Sequence, residues 1–208
     1  LKSSQLGYVG ALEPMASGLM VVLIGKATSL TPELQSVPQR YTGVLQLGVE
    51  TDTHDSCGRV TATMPWSHVT DDQIEEVASC FRGELIQVPP AYNPVKQKGR
   101  PVYDLAQRRP QENLQPMAVR TTELSLRRME PGSSELAFSV TYSRTLHMRA
   151  LARDIGLALG CYAHVSSLRR EAFGGFSVDD AWPLNVLLPT ARKFKALVRR
   201  GLPGRKLG

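Results

Sequence analysis

Apolar positions recur along this chain in two periods, one helical and one alternating. The clearest helix signal is Ile74, Val77, Ala78 and Phe81 at three- and four-residue spacing. It follows Thr70-Asp71-Asp72-Gln73, a capping box, and Gly83 supplies the stop. A second helix is predicted from about Leu146 to Leu159, turning Met148, Leu151, Ile155 and Leu159 inward and ending at Gly160. Alternation at Leu136, Phe138, Val140 and Tyr142 predicts a strand that pairs with 118–129 in a hairpin around Pro131-Gly132. Residues 19–24, 41–49, 59–63 and 163–170 read as strands, with a glycine-ended turn over 51–58. Extended structure is expected over 84–89 and 91–97, then a short helix after Pro101 carrying Val102, Leu105 and Ala106. Hairpins interleaved with helices predict an α+β fold: a mixed, mainly antiparallel sheet with flanking helices, not a doubly wound parallel one.

A chain of 208 residues suits one large domain or one domain with an appendage. We place the domain at 1–182 and a basic tail at 183–208. Formal net charge is +6, and its distribution matters more than its size. Residues 189–208 carry seven cations (Arg192, Lys193, Lys195, Arg199, Arg200, Arg205 and Lys206) and no acid, so the tail supplies the whole excess. Within the body, residues 1–90 are acidic on balance and 91–170 basic. That split predicts a positive face built by the second half and the tail, suited to a phosphate backbone. No apolar run reaches the roughly 18 residues of a membrane span. Three cysteines without a C-x-x-C spacing, and His54-x-x-Cys57 as the nearest thing to a ligand pair, predict reduced thiols, no metal and no cofactor in an intracellular protein.

Candidate chemistry concentrates in the loop Gly7-Tyr8-Val9-Gly10-Ala11-Leu12-Glu13-Pro14-Met15-Ala16-Ser17-Gly18. Glu13 is the only acid before Glu33 and sits between Leu12 and Pro14. Glycines permit tight turns and Pro14 fixes a dihedral beside the acid. A carboxylate on so stiff and apolar a loop must find a cation or take up a proton. Both a capping role and a chemical role fit that placement.

This loop resembles the active-site loop of the TruB family of RNA pseudouridine synthases, through Gly7, Gly10, Leu12, Pro14, Ala16 and Gly18. The resemblance continues in order through Arg40-Tyr41, Gly48 to Thr53, Asp55 to Gly58, Phe81-Arg82-Gly83, Val88-Pro89-Pro90, Tyr92, and Lys96 to Tyr103. It extends through His147-Met148-Arg149, Asp154-Ile155-Gly156, and Ala163 to Arg170, over roughly residues 5–182. It implies that Glu13, Tyr41 and Arg149 form the catalytic trio: an acid, the ring that stacks on a flipped base, and the arginine that pairs with the acid. It further implies RNA or uridine contacts at Tyr8, Lys96, His147 and Leu168, to which the tail cations Arg192, Lys193, Lys195, Arg199 and Arg200 would add. The implied partner is RNA, a tRNA or rRNA, together with ribosomal-subunit or assembly-factor proteins; no membrane is implied. A segment that precedes the loop in the family is expected to be missing here. The small RNA-binding PUA domain that usually follows is not expected within the residues after Trp182.

Several positions depart from the family pattern. Members carry aspartate where this chain has Glu13, histidine at Tyr8, tyrosine at His147 and a Gly-Thr pair at Thr145-Leu146. An extra methylene moves the carboxylate by about 1 Å, enough to cost about 10²-fold in rate. Two readings follow. One is an RNA-binding protein with weak or lost uridine isomerase activity and a part in ribosome or RNA maturation. The other is an active isomerase using Glu13 in place of aspartate. Arginine-dominated basic content and the missing initiator methionine lead us to expect a mitochondrial location.

Overall fold

The computed structural model describes residues 5–90, 96–97, 100–101, 115–143 and 146–190. The chain opens with β1 (Leu6–Val9), a loop containing the two-residue β2 (Ser17–Gly18), and β3 (Val21–Ile24). A helical turn, α1 (Thr31–Leu34), leads to β4 (Gln39–Leu47), β5 (Val49–Thr51) and β6 (Val60–Thr63). Next come α2 (Asp71–Cys80), β7 (Gly83–Gln87) and a ribbon of β8 (Lys96–Gln97) with β9 (Arg100–Pro101). The hairpin β10 (Met117–Arg128) and β11 (Glu135–Tyr142), helix α3 (Met148–Ala158), β12 (Ala163–Phe173) and β13 (Phe176–Ser177) complete it. The short helix expected after Pro101 falls outside the described residues.

One large sheet runs β13-β12-β4-β11-β10-β7 with every neighbouring pair antiparallel, and β2 joins β12 in parallel. The sheet is therefore mixed and mainly antiparallel, as the alternating hairpin pattern predicts. Its inner face carries Tyr41, Leu45, Leu136, Phe138 and Val140, and α3 lays Leu151, Ala152 and Ile155 on the same core. Truncating a fully buried member such as Ile155 to alanine is expected to cost about 2–5 kcal/mol. The capping box of α2 is present: Gln73 N donates to Thr70 Oγ1 at 3.3 Å, and Thr70 N donates to Gln73 Oε1 at 2.8 Å.

Two strands change which side faces inward partway along, because a bulge inserts one residue and inverts the alternation. In β12 the buried apolar positions Ala163 and Val165 are followed by Leu168 and Arg170, then Phe173, with register shifts at Val165/Ser167 and Arg170/Ala172; His164 is buried beside the first pair. In β10 they run Val119 and Thr121, then Leu124 and Leu126, across a shift at Thr121/Glu123.

The apolar run after the Glu13 loop differs from expectation. The strand covers Val21–Ile24 rather than Leu19–Ile24, and it is buried on one face only. It pairs with β1 in a ribbon outside the main sheet, so Val21 and Leu23 join a second cluster with Val9, Leu19 and Phe173, while Met20, Val22 and Ile24 face outward.

Candidate active site

Three segments distant in sequence meet at Glu13. The first is the loop from Gly10 to Gly18, bent by a turn in which Ala16 N donates to Glu13 O at 2.8 Å. Leu12, Met15 and Ala16 of this loop pack against the main core, which fixes the acid's backbone over the sheet. Second is the turn after β5, where Asp55 Oδ1 accepts from Thr53 Oγ1 at 2.6 Å and from Cys57 N at 2.9 Å. The first turn of α3 is the third segment, and it supplies Arg149.

Arg149 ties the three together. Its Nε donates to Glu13 Oε2 at 2.7 Å, one Nη donates to Thr53 O at 3.1 Å, and Asp55 Oδ2 lies 3.8 Å from the same Nε. Side-chain exposure is 5% for Arg149 and 20% for Glu13, so the pair is largely withdrawn from water. Burial pushes the Glu13 carboxyl above its ordinary value; the charge and hydrogen bond of Arg149 pull it down, and Asp55 pushes it up. The net direction is upward because desolvation of a carboxylate outweighs a single guanidinium already shared with a second acid. Glu13 thus finds both remedies open to it, a cation and an eased uptake of a proton.

Tyr41, in β4, is buried; burial raises its phenol, Arg170 opposes the rise and Glu13 adds to it. The Tyr41 ring stacks on Tyr142 with centroids 6.0 Å apart, and Tyr142 Oη donates to Gln39 Oε1 at 3.2 Å. Leu168, two residues before Arg170, is buried in the core beside them. The fold therefore joins Glu13 to Arg149, and buries Tyr41 and Leu168 together in the main core.

The other expected contacts divide. Tyr8 is 64% exposed and, with Leu6, Ala11, Leu12, Met20 and Val22, lines an apolar cavity of about 490 Å³ beside the Glu13 loop. His147 is buried at the start of α3. Its Nε2 is 3.3 Å from Met117 Sδ, and its backbone N donates to Gln87 Oε1 at 3.1 Å. Burial and the neighbouring Arg149 lower its pKa. The side chain of Lys96, and Arg192, Lys193, Lys195, Arg199 and Arg200, lie outside the described residues. Arg149 and Arg170 are interior and Arg128 nearly so, which narrows the positive face that a count over 91–170 suggests.

Asp55 and Arg170 gain importance that residue spacing did not reveal. Asp55 looks like an ordinary turn acid, and only the fold brings it to Arg149. Arg170 is fully buried and reaches Tyr41 Oη at 3.3 Å. Among the described residues, no group of three or more His, Cys, Asp or Glu could hold a metal ion, and no helix is long and apolar enough to cross a membrane.

Comparison with known proteins points the same way. Residues 1–147 match the family model for the TruB family pseudouridylate synthase (N terminal domain), and residues 149–199 match that for the tRNA pseudouridylate synthase B C-terminal domain. The tRNA pseudouridine synthase B of Geotalea uraniireducens is 39% identical over 181 residues, covering 87% of this chain and 58% of that protein. That of Opitutus terrae is 34% identical over 200 residues, covering 95% of this chain and 82% of its own. The match thus spans 58% of the first relative's length and 82% of the second's. A chain in the crystal structure of a Cbf5-Nop10-Gar1 complex superposes with a TM-score of 0.66 at 23% identity, over 93% of this chain and 48% of that one, a likeness of fold.

Proposed function

Because the chain belongs to the TruB family of pseudouridylate synthases, we propose that it binds structured RNA, a tRNA or rRNA stem-loop, and slowly isomerises one uridine at Glu13. One observation carries the reading: Arg149, itself buried, holds the Glu13 carboxylate at 2.7 Å.

The reaction breaks the N1–C1′ bond of uridine, turns the base, and joins C5 to C1′; C5 gives up a proton and N1 gains one, with no net oxidation. It requires the base out of its stack, in a pocket that excludes water, beside a fixed carboxylate. Glu13 meets the last requirement, and Arg149 keeps the ionised form available against the burial that opposes it. Slow turnover follows from the extra methylene of glutamate relative to the aspartate that the resemblance implies. A displacement of about 1 Å corresponds to about 10²-fold, or roughly 2.7 kcal/mol of barrier. Tyr8, His147 and Leu146 add a reshaped pocket to that displacement.

RNA affinity in this reading comes from the cations of the second half and of the tail, and maturation of tRNA or of a ribosomal subunit is the setting we assign to it. The test separates binding from chemistry. A uridine-containing stem-loop should bind the protein and gain pseudouridine slowly. Binding with no pseudouridine above that of Glu13→Gln would make the chain a non-catalytic RNA-binding member.

A further inference from the structure

We propose that Arg170 is a positioning residue for this site: its guanidinium fastens both ends of the Glu13 loop and the hydroxyl of Tyr41, and so sets where acid and ring stand relative to each other. The proposal rests on Glu13 as the reacting carboxylate, but its test reads the carboxyl directly.

Arg170 has 0% exposure and, among the described residues, no ion pair with a carboxylate. A buried cation balanced only by neutral acceptors is a costly way to fill a core, and an apolar side chain of similar volume would fill it at less cost. Its contacts show what the charge holds. Nε donates to Leu19 O at 2.6 Å; one Nη donates to Gly10 O at 2.8 Å, to Tyr41 Oη at 3.3 Å and to Gln39 Oε1 at 3.5 Å. Gly10 and Leu19 bracket the loop that carries Glu13, so one side chain closes it at the base. The backbone adds to this clamp, with Leu19 N donating to Arg170 O at 2.9 Å and β2 pairing with β12 at Arg170 itself.

Two loop glycines are explained by the close approach of the loop to β12, Gly10 by the Arg170 side chain and Gly18 by its backbone. A Cβ on Gly10 would stand 2.8 Å from the Arg170 Nη, and one on Gly18 would stand 2.3 Å from the Arg170 carbonyl oxygen. Both have positive φ, +65° and +98°, which glycine adopts without strain. The guanidinium carbon also lies 5.3 Å from the Phe173 ring centroid and 5.9 Å from that of Tyr41, within cation–π range. Lysine could not reproduce this arrangement, because an ammonium lacks the planar fork that reaches Leu19 and Gly10 together.

The measurement is the titration of the Glu13 carboxyl by carbon NMR in glutamate-labelled protein, assigned with Glu13→Gln, in the native chain and in Arg170→Met and Arg170→Lys. Arg149 and Asp55 are the charges that shift Glu13, and Arg170→Lys keeps the charge at position 170 while changing its geometry. If Arg170 sets the loop, Glu13 relaxes toward its ordinary 4.5 in Arg170→Met and part of the way in Arg170→Lys. Loop amides 11–19 should then exchange on the order of tenfold faster. An unchanged Glu13 titration in folded Arg170→Lys would overturn the proposal, whatever happens to the melting temperature, and that variant decides the matter should Arg170→Met fail to fold. Absence of pseudouridine formation would leave this readout untouched, so the two claims fail separately.

Discussion

Arg149 Nε stands 2.7 Å from Glu13 Oε2 although 136 positions separate the two residues, and the same nitrogen is 3.8 Å from Asp55 Oδ2. A single guanidinium therefore lies between two carboxylates. Arg149→Met would leave them facing each other in a poorly hydrated site, and one would have to take up a proton. Urea unfolding at neutral pH is expected to show a loss of about 3 kcal/mol, the lower end for a buried pair because a fifth of Glu13 remains in water. Adding Glu13→Gln should recover part of that loss. A coupling energy of roughly 1–3 kcal/mol in the double-mutant cycle is expected, and additivity would show that the pair does not interact.

Acidity gives a second check, and its sign is fixed by the direction of the Glu13 shift. The folded carboxyl titrates above 4.5, so Glu13 contributes stability below that pH and loses it as pH rises through the folded value. The stability difference between native protein and Glu13→Gln should therefore move in favour of the glutamine variant as pH climbs from about 4.5 toward neutrality. A difference that stayed flat across that window would mean that Glu13 is not desolvated.

His54 offers a stabilising substitution. It has φ 57°, the only positive φ outside glycine among the described residues, and its Nδ1 is buried without a hydrogen-bond partner. Burial and the nearby Arg153 and Arg149 lower its pKa, while Glu50 and Asp154 oppose them. Folding therefore penalises the imidazolium, and stability drains as pH falls below about 6.5 toward the folded value. Asparagine tolerates the left-handed conformation and is neutral. His54→Asn should raise stability by about 0.5–1 kcal/mol and flatten its fall below pH 6.5, read by thermal melts across that range.

The basic tail makes a binding prediction. Deleting residues 189–208 removes seven cations and no acid. Affinity for a stem-loop should fall, and the slope of log affinity against log salt should flatten by at most about 6, at roughly 0.9 per phosphate contact on a duplex. Equal affinity of the truncated and full chains at every salt concentration would make the tail irrelevant to RNA.

Local signals in the sequence translated directly into structure, and long-range ones did so unevenly. The capping box at Thr70 and the inward stripe of α3 are set within a few residues, and both formed where periodicity places them. Pairing of Glu13 with Arg149 follows from the resemblance, because no spacing rule connects positions 13 and 149. Arg170 escaped for a geometric reason. Extending the alternation of Ala163 and Val165 along β12 turns Arg169 inward, whereas the bulge at Val165/Ser167 turns in Arg170 instead. Asp55 escaped because its bonds to Thr53 and Cys57 are those of any acid in a tight turn. The exposed face of β3 was hidden in a continuous apolar run, which cannot by itself distinguish a central strand from a ribbon at the margin.

In the proposed function Glu13 is the working carboxylate and its length slows the reaction. Pseudouridine formed in a defined stem-loop by the native chain, Glu13→Gln and Glu13→Asp measures this most directly. Slow formation is expected from the native chain and none above background with glutamine. With aspartate the gain should fall short of the full 10² or so, because Tyr8, His147 and Leu146 still shape the pocket and residues that act together do not add independently. Equal pseudouridine from the native chain and Glu13→Gln, with RNA still bound, would contradict it.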